Sequence, residues 1–167
     1  MHSREVVTLD MNTLNELVPE AISDFGNVTS LARAPFTTDA IHIEIMPKPL
    51  QSPTTLPIGR MAVYAFFLNG QALKVGKVGP NSAARYTSQH YNAASAKSCL
   101  AKSILANAPK VGALGVDAAS VGDWIKTNTD RVNLLLSTTL GLPVLSLLES
   151  FLHVRWKPLF EGRSDSD

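Results

Sequence analysis

Residues Met61–Tyr91 read MAVYAFFLNGQALKVGKVGPNSAARYTSQHY. MAVYAFFL is an apolar strand with Tyr64 at its middle. Asn69-Gly70 follows, the dipeptide that most strongly signals a tight hairpin. Gln71–Val75 runs back as a second strand and stops at Gly76. Lys77–Asn81 is then a loop, and Ser82 is placed to cap a helix that begins AARYTSQH. One hairpin and one helix therefore bring Tyr64, Lys74, Lys77, Arg85 and His90 into one neighbourhood.

Upstream, Asn12–Val18 starts a short capped helix with Leu14, Leu17 and Val18 on one face. The pattern continues past Pro19 to Ile22, and Gly26-Asn27 ends it. Ile41–Ile45 alternates as a half-buried strand with His42 and Glu44 outward. Pro47, Pro49, Pro53 and Pro57 make an extended connector. Downstream, Ser95–Ala108 reads as a helix and residues 109–122 as a small-residue loop. Asp123-Trp124-Ile125 opens a strand, and Arg131–Ser137 is a third core strand. Gly141-Leu-Pro143 starts a helix, PVLSLLESFLHVRW, that is apolar nearly all round. Its one acid, Glu149, sits mid-helix, where a carboxylate is costly unless a metal or a cation such as Arg155 answers it.

At 167 residues, with 45% apolar and 17% charged side chains, the chain is long and apolar enough for one globular domain with its own core. No apolar run reaches the roughly 18 residues of a membrane span. The first residues, MHSREVVTLDMN, hold no apolar signal-peptide core. Cys99 is the single cysteine, which rules out an internal disulfide or a thiolate metal cage and suits a reducing, intracellular setting.

Net charge is only +1, but its distribution is uneven. Between Ile45 and Val116 there is no Asp or Glu, while Lys48, Arg60, Lys74, Lys77, Arg85, Lys97, Lys102 and Lys110 all fall there. Segregation of this kind suits a surface that faces a polyanion. Arg60, Lys77, Lys97, Lys102 and Lys110 are the candidate nucleic-acid contacts, aimed at phosphates because no base-reading pattern accompanies them.

Taken in order, these pieces resemble the GIY-YIG nuclease superfamily. Ala62-Val63-Tyr64 stands where GIY belongs, and Lys74-Val75-Gly76 where YIG belongs, with Lys77 as the basic residue that often follows. Arg85 matches the helix arginine, Glu149 the metal-binding glutamate of a later helix, and WKPLFEG the closing segment. The similarity spans roughly residues 60–162, with extra residues between Ala93 and Thr129. Ala62 replaces the first glycine, Lys74 the second tyrosine, and Glu161 the asparagine of the closing motif. Gln89 holds the position four after the arginine where the family more often has His or Tyr, and His90 follows it.

The resemblance implies an α+β fold, a small central mostly antiparallel sheet flanked by helices. Residues 59–162 form its core, residues 1–58 an N-terminal extension packed on that core, and residues 163–167 a disordered tail. It implies a metal-dependent DNA endonuclease of restriction-like or stand-alone type in a bacterial or phage-like cytoplasm. Such an enzyme would act on double-stranded DNA as a homodimer, with Mg2+ or Mn2+ and no small-molecule cofactor. Glu149 would hold the metal, Arg85 would fork onto phosphate oxygens, and Tyr64 would be general base or orienter of the attacking water. His90 would join the catalytic group, and Lys74 would lower the phenol's pKa from close range. A binding module of the same fold without catalysis, or an RNase, is the alternative.

That role for Lys74 makes a demand on register. A two-residue Asn69-Gly70 turn pairs Leu68 with Gln71, sets Tyr64 opposite Val75 and points Lys74 away from it. A three-residue loop over Leu68–Gly70 pairs Phe67 with Gln71 and sets Tyr64 opposite Lys74. The catalytic reading predicts the three-residue loop.

Overall fold

The structure is a computed structural model that describes residues 11–51, 53–96 and 98–160. Its fold is α+β. The elements run α1 (Met11–Leu31), β1 (Ile41–Met46), β2 (Arg60–Leu68), β3 (Gln71–Val78) and α2 (Ala83–Thr87). Then come α3 (Leu100–Ala106), α4 (Ala108–Val111), α5 (Val121–Asn128), β4 (Asp130–Ser137) and α6 (Gly141–Trp156). The strands form one antiparallel sheet in the order β1-β4-β2-β3. Residues 1–10, part of the predicted N-terminal extension, and the tail from Glu161 onward lie outside the described residues.

Alternation along β2 divides the core. Val63, Ala65 and Phe67 face α1 and α6, in a cluster with Phe25, Leu145, Leu148 and Leu152. Ala62, Tyr64 and Phe66 face the opposite layer, with Leu100, Ile104, Val121 and Ile125 of α3 and α5. Both faces of β2 are thus buried, which is why its sequence is apolar throughout rather than alternating. β1 pairs with β4 along its whole length, so the N-terminal segment completes the sheet rather than lying on it.

Three expectations are corrected. Gly26-Asn27 does not end α1, which runs on to Leu31. Phe25 anchors its second half edge-on against Phe36, and Pro19 sits on the exposed face, where a missing N–H costs least. Ser95–Ala108 is not one helix. Ser95 Oγ bonds back to the Gln89 and Asn92 carbonyls in a turn, and α3 starts only at Leu100. Asp123-Trp124-Ile125 lies in a helix, not a strand, because Val121 and Ile125 fall one turn apart on a buried face and Asp117 accepts N–H bonds from Ala119 and Ser120 just ahead of it.

The hairpin corrects a fourth. Asn69 (φ 48°) and Gly70 (φ 81°) both adopt the left-handed conformation of a two-residue turn, and Leu68 pairs with Gln71. The three-residue loop is absent. A bulge between Phe66 and Phe67 then leaves Leu73 as the extra residue, so Phe66 pairs with Lys74 and Tyr64 with Gly76. Gly76 therefore does not end β3, which continues to Val78. The bulge puts Lys74 on the face of Tyr64 and Phe66 after all, but one rung away from the phenol.

α6 ends where Lys157 takes a left-handed conformation, and the chain turns back along the outer edge of β3. Leu159 and Phe160 donate N–H bonds to the carbonyls of Ala72 (2.9 Å) and Leu73 (2.8 Å). KPLF thus covers the near half of an edge strand that would otherwise present free backbone groups. Among the described residues no helix is long and apolar enough to cross a membrane.

Leu152 (0% exposed) and Val154 (75% exposed) lie on the same helix but on opposite sides of it. Leu152→Ala should lower the unfolding free energy by about 2–5 kcal/mol, through lost transfer energy and a cavity. Val154→Ala should change it by no more than about 0.5 kcal/mol. Urea unfolding of the two variants compares them directly.

Candidate active site at the outer edge of the sheet

Two rungs of the sheet carry the polar side chains of the α2–α5 face. The first runs Glu44, Asn133, Tyr64, Gly76, and the second Met46, Arg131, Phe66, Lys74. Tyr64 lies flat over Gly76. A Cβ there would stand 2.7 Å from the Tyr64 Oη and 2.8 Å from its Cζ, so the strand partner of this tyrosine has no room for a side chain. The ring is fully buried and reaches toward the segment after β3.

Two N–H groups meet the phenol oxygen there. The Leu100 backbone N–H donates to His90 Nδ1 (3.2 Å), so that nitrogen carries the lone pair and Nε2 carries the proton. His90 Nε2–H then donates to Tyr64 Oη at 2.6 Å. Arg85 Nε–H donates to the same oxygen at 3.3 Å. Among the described residues the Tyr64 O–H has no acceptor of its own. An oxygen that accepts two N–H bonds is well prepared to carry negative charge.

Electrostatics in this pocket oppose one another. Burial pushes the Tyr64 phenol above its ordinary value; Arg85 and then Arg131 pull it down, and Glu149 adds a smaller upward push. His90 is drawn down to about 3, first by burial and then by Lys74, Arg85 and Arg131, so it is neutral at pH 7. Lys74 is lowered chiefly by burial, then by Arg85.

Lys74 is buried and donates to Ser98 Oγ at 3.1 Å. It does not touch the phenol, so the role expected of it passes to Arg85 and Arg131. Lys77, the next residue but two along β3, points to the other face. Its Nζ forms an ion pair with Glu149 Oε2 of α6 at 2.5 Å. The cation that answers the mid-helix acid is thus Lys77, while Arg155 bonds Asp24 (2.9 Å) and Glu20 (3.3 Å) of α1.

Arg85 links the two groups. Besides reaching Tyr64, it lines a cleft of roughly 390 Å3 at the sheet edge, together with Lys77, Gly79, Ser82, Leu142 and Glu149. Tyr64 and His90 lie behind Arg85, and the Lys77–Glu149 pair forms the cleft's wall on the α6 side. The tertiary structure therefore gathers Tyr64, Lys77, Arg85, His90 and Glu149, and sets Lys74 beside them. Arg60, Lys102 and Lys110 do not line the cleft; Lys102 and Lys110 are exposed on α3 and α4, and Arg60 is half-buried at the start of β2. Lys97 lies outside the described residues.

One residue of the site escaped the sequence reading. Arg131, in β4, is fully buried and its guanidinium packs on the rings of Tyr86 (4.7 Å), Phe66 (5.4 Å) and Tyr64 (5.6 Å). Its signal was present as two polar residues, Arg131 and Asn133, alternating through an apolar strand, which a strand buried on both faces tolerates only when both are satisfied.

Glu149 is the one carboxylate on the cleft, and among the described residues no three His, Cys, Asp or Glu side chains cluster as a metal cage. That donor set fits only the sparse mode of Mg2+, which takes one or two carboxylates and completes its shell with water and substrate phosphate. Comparison with family models, with curated proteins and with solved structures finds no match.

Two outcomes test this geometry. Gly76→Ala should displace the Tyr64 ring, break its bond to His90 and cost about 1–3 kcal/mol, read from urea unfolding and the His90 imidazole NMR signals. His90 supplies the second. Its folded pKa, about 3, lies below the ordinary 6.5, so its contribution to stability is complete above 6.5 and is lost as pH falls from there toward 3. His90→Gln should flatten the fall in unfolding free energy between pH 7 and pH 4, as chemical denaturation at the two pH values would show.

Proposed function

We propose that the cleft between β3, α2 and α6 is the catalytic site of a GIY-YIG-type nuclease, a metal-dependent endonuclease that hydrolyses phosphodiester bonds in DNA. The observation that carries this reading is Arg85: one side chain bonds the buried tyrosine and lines the cleft that Glu149 walls. The chain order of these residues, strand tyrosine, helix arginine and later-helix glutamate, is that of the superfamily the sequence resembles.

In this reading the phosphate enters beside Arg85 and Lys77. The terminal nitrogens of Arg85 bond none of the described residues and are free to take phosphate oxygens as charge grows on them. Tyr64 first gives its own proton to solvent. Water then attacks phosphorus, one P–O ester bond breaks, the water's proton passes to the phenolate oxygen of Tyr64, and the leaving oxygen takes a proton from solvent. The His90 Nε2–H and the Arg85 guanidinium hold that oxygen in place and favour its charged form. Mg2+, or Mn2+, would be held by Glu149 and would polarise the phosphate. Lys77, released from Glu149, would then hold a backbone phosphate. Restriction-like cutting of both strands calls for two copies of the chain, so a homodimer is part of the proposal.

A second reading, a nucleic-acid-binding module without catalysis, draws support from the buried phenol and from a Glu149 already neutralised by Lys77. Plasmid cleavage with and without Mg2+ separates the two. Under the nuclease reading, Glu149→Ala abolishes metal-dependent cutting with the fold kept, and Arg85→Ala slows it by on the order of 10²–10³-fold. A Glu149→Ala protein that cuts like the wild type would remove Glu149 from the site. No cutting by the wild type, with salt-dependent DNA binding retained, would favour the module.

A further inference from the structure

Arg131 belongs to no motif that pointed to the cleft, yet among the described residues it is the most deeply buried cation. Its Nε donates to Asn133 Oδ1 (2.8 Å), one terminal nitrogen to Tyr91 Oη (2.9 Å) and the other to the Tyr86 carbonyl (2.7 Å). No carboxylate pairs with it among the described residues. Glu44 lies one link away, accepting from Asn133 Nδ2 at 3.2 Å. A buried charge left without a counter-ion is costly, so its retention asks for a use.

We propose that Arg131 is a positioning residue for Tyr64, holding a permanent positive charge against the phenol ring and tying the segment that carries Arg85 and His90 to the sheet. This rests on the reading of Tyr64 as the group that takes the water's proton.

The division of labour follows from exposure. Arg85 is exposed and holds Tyr64 by one long bond, so a phosphate in the cleft can draw it away. Arg131 is sealed in by three hydrogen bonds and three aromatic rings and stays when Arg85 leaves. Its cation lies toward the π system of Tyr64, whose electron density grows on ionisation, so the attraction strengthens as the phenolate forms. The bond to the Tyr86 carbonyl fixes α2 one residue after Arg85, and the bond to Tyr91 fixes the chain one residue after His90. Other charged or titratable groups around the phenol are Arg85 and Tyr86 from α2, His90 from the turn after it, Lys74 from β3 and Glu149 from α6. None of these lies on β4, the inner neighbour of β2, which carries Arg131.

The chain holds three tyrosines, so protein labelled with 3-fluorotyrosine gives one 19F signal for each, and Tyr64→Phe identifies that of Tyr64. Arg131→Met should move the Tyr64 titration to higher pH, and Arg131→Lys, which keeps the charge, should return most of that shift. The rise of plasmid cleavage with pH should move the same way as the titration. A Tyr64 titration unchanged in a folded Arg131→Met protein overturns the proposal. Because Arg131→Met removes three buried bonds, a native-protein measurement stands beside it: the Arg131 13Cζ resonance should step at the Tyr64 midpoint and lose that step in Tyr64→Phe. Absence of the step overturns the proposal without any change to Arg131. If the wild type cuts no DNA, the nuclease reading fails, and the 19F titration still decides whether Arg131 governs Tyr64.

Discussion

The buried guanidinium of Arg131 ties one end of the layer of short helices, the chain from Tyr86 to Tyr91, to the sheet. That layer is poor in regular structure: α2 has five residues and α4 four, and Ser82 gives α2 no side-chain cap. Segments so short do not hold themselves in place. They are held by apolar packing and by bonds to the sheet, and Arg131 makes two of those bonds, to the Tyr86 carbonyl and to the Tyr91 hydroxyl. Tyr91 in turn donates to Gln51 (2.7 Å), whose amide donates to the Thr129 carbonyl (2.6 Å), so the connector before β2 joins the same network. A buried polar network of this kind specifies one arrangement only when all its members are satisfied, and here each has a partner.

Across the sheet the logic differs. α1 and α6 are long, and Leu14, Val18 and Phe25 meet Leu148 and Leu152 in an apolar cluster with few polar links. That side is held by apolar packing, with the periodic face of α1 set against an α6 that is apolar nearly all round. The cleft forms where the two kinds of layer meet beside the open half of β3, and its charge comes from both: Arg85 from the polar layer, the Lys77–Glu149 pair from the α6 side. Lys77 answers the charge of Glu149 directly, so the cleft wall on the α6 side is an ion pair rather than a free carboxylate.

Register decides what faces what in this site. A one-residue change in strand pairing moves side chains to the opposite face. The bulge at Leu73 is therefore a small structural event with a large chemical effect, since it lays Tyr64 over Gly76, the one glycine of β3, and sets Lys74 opposite Phe66. Without it the two-residue turn would have put Val75 against the phenol. The lysine would then have faced away.

Much of this was legible in the chain itself. β2, β3, β4 and α6 follow from apolar runs, the Asn69-Gly70 turn and Pro143, because those signals are local. Tyr64, Arg85, His90 and Glu149 were legible as candidates, by residue type and order along the chain. The rest depends on contacts distant in sequence. α1 runs through Gly26 because Phe25 finds Phe36 and Phe151, and α3 is delayed to Leu100, whose N–H is taken by His90. The bulge and the pairing of Glu149 with Lys77 rather than Arg155 have no local signature, and the alternation of Arg131 and Asn133 in an apolar strand does not say which groups would satisfy them. The amino-acid sequence by itself determined the strands, the last helix and the kinds of group available. Only the tertiary structure decided which of them touch, because register and ion pairing are settled between residues tens of positions apart.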